Sequence, residues 1–243
     1  MKAHDSNAPG RRQEERSILI NFVLDKSGSM DVIRAATISG FNEFLGDQQR
    51  EGGDARMTLT LFDTHLTPLA AAVPIREIAP LDLKTFEPGG MTALYDAIGH
   101  TMTMTDDFYA EHKPDQVLFV IMTDGAENAS REFDRARIFS MIEDRQKLAG
   151  YEFLYLGANQ DSYTIGHELG LRDGRTLDYA HTEVGARETM QRVSHNVSAY
   201  RRQGAAQVED GAFFSEEFEA SGAREYEEHK KASRGDAEPA AGE

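Results

Sequence analysis

The sequence predicts an α/β fold: a doubly wound, mostly parallel central sheet flanked by helices, with one antiparallel edge strand. Three observations carry this. Four short runs are apolar almost without interruption: ILINFVL (18–24), MTLTLF (57–62), QVLFVIMT (116–123) and EFLYLGA (152–158). Such continuity marks strands covered on both faces, as in a parallel sheet. The segments between them place apolar residues at helical spacing. Strand alternating with helix implies right-handed crossovers onto one sheet.

Taken in order, residues 1–16 are polar, carry Pro and Gly, and read as a flexible leader. The first strand (18–24) leads to a helix whose face is Ile38, Phe41 and Leu45. After the second strand (57–62), the stretch 66–75 holds Pro68 and Pro74. Missing N–H donors are tolerated at a sheet edge, so this stretch is assigned to the edge strand. Leu94, Ala97, Ile98 and Met102 share one helical face, and Ile138, Met141, Ile142 and Leu148 form a third stripe. A short helix is expected to begin near Ser162, and LDYAH (177–181) suits a sixth short strand. Ala186, Met190, Val193, Val197 and Tyr200 then define a long amphipathic helix. The folded domain is thus expected over 17–202. Residues 203–243 carry 11 acidic and 4 basic side chains with few aliphatics, so a mostly disordered acidic tail is expected. Phe213, Phe214 and Phe218 are its candidates for docking. No internal repeat is present.

At 243 residues the chain suits one large domain with appendages. A fold of that size buries about 70 per cent of its unfolded surface and needs no covalent staples. With 26 basic against 42 acidic side chains the formal net charge is −16, which disfavours nucleic acid and anionic membrane as partners. The absence of Cys excludes disulfides, thiolate zinc sites and a cysteine nucleophile. No secretory signal or bilayer-length apolar run is evident, so a soluble, cytoplasmic protein is expected.

Ligands of open α/β sheets bind beyond the carboxyl ends of the strands, where strand order reverses. The first strand runs into Asp25, Lys26, Ser27, Gly28 and Ser29. The loop Pro88-Gly89-Gly90-Met91 delivers Thr92 to a helix start, and the strand at 116–123 ends in Thr123, Asp124 and Gly125. Two carboxylates and three hydroxyls would converge there. An all-oxygen set suits a hard divalent cation such as Mg²⁺ and offers nothing to zinc or copper. Each element alone has a plainer explanation: Asp25 and Ser27 suit helix N-caps, and Asp124-Gly125 suits a turn.

All three elements in this order resemble the von Willebrand factor type A domain and its metal-ion-dependent adhesion site, over roughly residues 17–175. That site uses an Asp-x-Ser-x-Ser run, a distant Thr and a distant Asp, and the chain is most similar to small intracellular bacterial and phage members. The resemblance implies that Ser27, Ser29 and Thr92 are hydroxyl ligands of Mg²⁺ or Mn²⁺. It implies that Asp25 and Asp124 act mainly through water or hydrogen bonds, and that an open position accepts a Glu or Asp of a protein partner. Intracellular members also serve as adaptors for AAA+ ATPases, as in magnesium chelatase, or occur in stress-response systems.

Other features carry weaker expectations. Asn159, Gln160 and Asp161 would rim the site or cap the helix near Ser162. Asp63 reads as a turn residue or a support to the site, and Asp96 as a residue that orients the Thr92 loop. REFDRAR (131–137) reads as a solvated helix face, and the Arg234-Gly235-Asp236 tripeptide as chance. The eight His show neither i,i+4 pairing nor HExxH spacing, which argues against a histidine metal site. An enzyme reading, Mg²⁺-dependent phosphoester hydrolysis through Asp25, lacks the second Asp that such enzymes place two residues on, since Ser27 stands there. No GxxxxGK[ST] loop, GxSxG elbow or GxGxxG turn occurs at the relevant places. A binding module, not an enzyme, is the expected class.

Overall fold

The apolar runs pair into one six-stranded sheet in the computed structural model, which describes residues 16–158, 162–203 and 213. In chain order the elements are β1 (Ser17–Asp25), α1 (Arg34–Arg50), β2 (Asp54–Phe62), β3 (Leu66–Pro74), α2 (Leu94–His112), β4 (Gln116–Thr123), α3 (Arg135–Leu148), β5 (Glu152–Ala158), α4 (Ser162–Glu168), β6 (Thr176–Tyr179) and α5 (Glu183–Gln203). Short 3-10 turns occupy Gly28–Ile33 and Ile75–Glu77. The spatial order is β3-β2-β1-β4-β5-β6, parallel throughout except for the antiparallel β2–β3 pair. β3 is the edge strand that its prolines predicted, with bulges and a left-handed Ala72 (φ 49°) breaking its register.

The strands read as continuously apolar because their alternate residues enter two different cores. On β4, Leu118, Val120 and Met122 join one core with α1 and α5, while Val117, Phe119 and Ile121 join the other with α2 and α3. In the first core Phe22 meets Phe41 and Phe44 edge-on, with ring centroids 5.2 and 5.3 Å apart. Burying one such side chain contributes about 2–3 kcal/mol. α5 lies against α1 at Gly40, where a Cβ would stand 2.9 Å from the Met190 side chain. No helix among the described residues is long and apolar enough to cross a membrane.

Two sequence expectations need correction. Leu148 does not share the inner stripe of α3; although seven residues beyond Met141, it is the last residue of the helix and 85% exposed, and Gln146 is buried instead. REFDRAR is not one helix face either. α3 starts only at Arg135, capped by Asp134, whose carboxylate accepts the Arg137 N–H at 2.8 Å. Residues 131–134 form a loop tied to α2. From the acidic tail, Phe213 is described and is buried, with its ring 5.3 Å from that of Tyr200 and its carbonyl accepting from Asn196. The leader 1–15, the docking candidates Phe214 and Phe218, and the tripeptide at 234–236 lie outside the described residues.

Strand order reverses between β1 and β4, because α1 carries the chain from β1 outward to β2 while β4 returns on the other side. The register Leu24↔Met122 brings Asp25 level with Thr123 across that switch point. Thr123↔Gly157 and Ala158↔Tyr179 continue the same level to the far edge.

Candidate metal centre

Asp25 ends β1 with its side chain wholly buried. One carboxylate oxygen accepts the Ser27 N–H at 2.6 Å and the other accepts the Thr123 hydroxyl at 2.6 Å. Burial pushes its pKa up to about 6; the Thr123 and Ser27 hydrogen bonds oppose this, and the charge of Asp124 adds to it. Ser27 occupies the N-cap position of the 3-10 turn, yet its hydroxyl makes no cap bond. It lies instead 3.3 Å from the Ser29 hydroxyl, which donates to Asp124 Oδ1 at 2.6 Å. Ser29 is exposed, so the cluster opens to solvent there.

Backbone lacing holds this turn in place. Lys26 N–H donates to the Phe62 carbonyl at 2.7 Å, Gly89 N–H donates to the Lys26 carbonyl at 2.8 Å, and Gly28 N–H donates to the Gly90 carbonyl at 3.2 Å. The Gly-rich loop turns through a left-handed Gly90 (φ 72°) and passes directly to Thr92. Asn128 clamps Thr92 from both sides, its side chain accepting the Thr92 N–H at 2.9 Å and its own N–H donating to the Thr92 carbonyl at 3.0 Å. The Thr92 hydroxyl lies against Gly125, where a Cβ would come within 2.8 Å of it. Glycine after Asp124 is therefore a packing requirement of the site as well as a turn signal.

The sequence-predicted residues thus come together: Asp25, Ser27, Ser29 and Asp124 are linked through direct contacts and Thr123, and Thr92 packs beside Gly125. Asp63 does two things. It accepts the His65 N–H at 2.7 Å as a turn residue, and its carboxylate pairs with Lys26, pinning the Asp-x-Ser turn to the end of β2. Burial raises its pKa, but the Lys26 and His65 bonds outweigh that and leave it below the ordinary value. The Asp96 carboxylate holds not the Thr92 loop, as expected, but the loop at 131–133, accepting N–H bonds from Arg131, Glu132 and Phe133 at 2.8, 2.9 and 2.9 Å. The expected rim residues Asn159, Gln160 and Asp161 lie outside the described residues.

Sequence reasoning missed three residues. Asn128 holds Thr92, as described above. Glu127 accepts N–H bonds from Tyr95, Ala129 and Ser130, joining the loop after β4 to the start of α2. His181, just beyond β6, places Nε2 2.8 Å from Asp124 Oδ2. Glu127 and Asn128 follow the Thr-Asp-Gly turn closely enough to have been flagged, whereas nothing in the sequence spacing joins His181 to Asp124.

The donor set fits a hard divalent cation. It is made of hydroxyls and carboxylates, and the buried Asp124 Oδ2 accepts no hydrogen bond, its neighbour being the His181 ring nitrogen at 2.8 Å. No three His, Asp or Glu side chains among the described residues group closely enough to hold a metal by themselves, so the hydroxyls are essential to such a site.

No protein-family model matches the chain, and neither does any curated protein. Solved structures do match. The pilus adhesin SpaC from Lactobacillus rhamnosus GG aligns with a TM-score of 0.59 at 14% identity, covering 77% of this chain and 30% of that one. The vWF domain of the type V pili tip protein Mfa5 from Porphyromonas gingivalis aligns at 0.54 and 11% identity, covering 79% and 98%. Proximal thread matrix protein 1 of the mussel byssus, with a zinc-occupied adhesion-site motif, aligns at 0.52 and 13% identity, covering 74% and 48%. The chain therefore spans less than half of the mussel and Lactobacillus proteins. At these identities the likeness shows the fold, that of a von Willebrand factor type A domain.

Proposed function

We propose that the chain is a metal-dependent protein-binding module that captures an Asp or Glu side chain of a partner. In this reading Asp25, Ser27, Ser29, Thr92 and Asp124 hold Mg²⁺ or Mn²⁺ in a cytoplasmic setting, and binding proceeds without turnover. The observation that carries it is the hydroxyl cluster at the switch point: the Ser27 hydroxyl forgoes helix capping and turns to Ser29, which meets Asp124 on the open side. The zinc-occupied motif in the mussel protein supports metal binding by this fold.

The bound ion would supply a local positive charge to a carboxylate on an otherwise acidic surface. The chain's own residues prepare for this. Neutral hydroxyls leave the ion's charge largely unquenched. Thr123 and the Ser27 N–H hold the Asp25 carboxylate in one orientation. The Lys26–Asp63 pair and the Asn128 clamp fix the two loops that carry the hydroxyls. Mg²⁺ takes six oxygens at about 2.0–2.1 Å, more than three hydroxyls provide, so room remains for a partner oxygen.

The test is capture of partners from the source cell by the full chain, with and without EDTA, and with Asp25→Ala. Partner retention should be lost under EDTA and in the variant, and Glu/Asp→Ala scanning of the captured protein should find one dominant residue. Retention that is equal with the metal stripped contradicts the proposal.

A further inference from the structure

We infer that His181 brings a nitrogen donor to the same metal centre, giving it a stronger preference for transition ions such as Co²⁺, Ni²⁺ or Zn²⁺ over Mg²⁺ than oxygen donors alone would confer. This rests on the metal-binding reading above and deepens it.

The Asp124 side chain is entirely covered; its Oδ1 accepts the Ser29 hydroxyl while its Oδ2 stands 2.8 Å from His181 Nε2. Both of these last atoms are buried, and neither has a hydrogen-bond partner. An imidazole N–H aimed at the carboxylate over this distance would form a charge-assisted hydrogen bond. Here the separation is right and the direction is not. The two atoms stand at ion-pair distance, yet with the N–H directed off the carboxylate they gain less than an aligned bond would give. A cation met by a lone pair of each would hold them at this spacing.

The spacing agrees. Donors in one octahedral shell with bonds of about 2.1 Å stand about 3 Å apart. Ser27–Ser29, Ser29–Asp124 Oδ1 and Asp124 Oδ2–His181 are contacts of 3.3, 2.6 and 2.8 Å, the last two through different oxygens of one carboxylate. The fold also fixes His181 where it is. β6 ends level with β5, and β5 with β4. Thr182 immediately caps α5, its hydroxyl accepting the Gly185 N–H at 3.0 Å and its carbonyl the Ala186 N–H at 3.0 Å. The His181 side chain is 15% exposed, whereas those of His65, His100 and His112 are 86%, 39% and 50% exposed. Imidazole suits zinc, copper, iron and nickel, whereas hydroxyl and carboxylate suit magnesium and manganese. His181 therefore supplies the nitrogen donor that the sequence motif lacks.

The experiment uses the full chain, with Mg²⁺ and Co²⁺ affinities measured by calorimetry and ¹⁴N coupling to bound Mn²⁺ read by electron spin-echo modulation. Wild type should show directly bound ¹⁴N. In His181→Ala that signal should vanish and Co²⁺ affinity should fall about 10-fold or more, while Mg²⁺ affinity changes much less. His181→Gln, which keeps a polar side chain of similar reach, should behave like His181→Ala and guards against a folding defect. Wild type that binds Mn²⁺ without ¹⁴N coupling overturns this inference and leaves the oxygen site standing. So does an equal loss of Mg²⁺ and Co²⁺ affinity, which would make His181 only an orienter of Asp124. Wild type that binds none of the three ions overturns both readings.

Discussion

The two ends of the parallel strands treat charge in opposite ways. At the amino ends, Glu152 is buried and bonded to Arg175 at 2.9 Å and Arg172 at 3.2 Å. Arg201, also buried, donates to the carbonyls of Gln48 and Gly52 at 2.7 and 2.8 Å. Ser17 and Asp115 exchange hydrogen bonds across β1 and the α2–β4 loop. At the carboxyl ends, Asp25 and Asp124 are crowded, the Asp25 pKa is pushed up to about 6, and Asp124 Oδ2 has no hydrogen bond. One end uses charge to hold elements together. The other also pairs Lys26 with Asp63, but at Asp25 and Asp124 it sets two carboxylates among hydroxyls, a setting that favours a bound cation.

This contrast can be broken from either side. The largest expected effect is at the amino end. Glu152→Ala leaves the Arg175 guanidinium buried without its carboxylate, and should cost about 3–5 kcal/mol by urea denaturation. The metal affinity of the protein that remains folded should be unchanged. Next, Phe213→Ala removes a side chain packed on Tyr200 and beneath Arg175, whose guanidinium carbon lies 5.4 Å from the ring centroid. It should cost about 2 kcal/mol, measured the same way. The smallest stability change belongs to the carboxyl end. Asp25→Asn removes a poorly solvated charge, and the Thr123 hydroxyl is able to donate to the Gly125 carbonyl, 3.1 Å away, while accepting from the new amide. Its metal-free stability at neutral pH should change by no more than about 1 kcal/mol, and upward. Yet the rise in melting temperature that Mn²⁺ gives the wild type should disappear. A large loss of metal-free stability in Asp25→Asn would show that both ends serve the same structural purpose.

The legible part of the molecule is the part governed by local pattern. β1, β2, β4 and β5 were readable because burial on both faces leaves almost no polar residue in them, and β3 because Pro68 and Pro74 admit only an edge. The motif residues were readable because each directly follows or precedes such an element. What stayed hidden depends on strand order and loop packing. The contact between Asp124 and His181 spans β5, so no spacing in the chain encodes it. Glu127 gathers N–H groups of a loop whose shape is set only once α2 and β4 are packed, and for the same reason the loop that Asp96 holds is 131–133 and not that of Thr92. Leu148 matches the helical angle of Met141 but ends α3, and periodicity does not tell where a helix leaves the core.

The central claim is that the carboxyl end of this sheet holds a divalent cation through hydroxyls and carboxylates from three loops. The most direct measurement is calorimetric titration of Mn²⁺ into the wild type, Thr92→Ala and Asp124→Ala, each with its fold checked by circular dichroism. The account predicts one site in the wild type and at least about a 10-fold loss of affinity in both variants at unchanged secondary structure. Equal Mn²⁺ binding in all three proteins would contradict it.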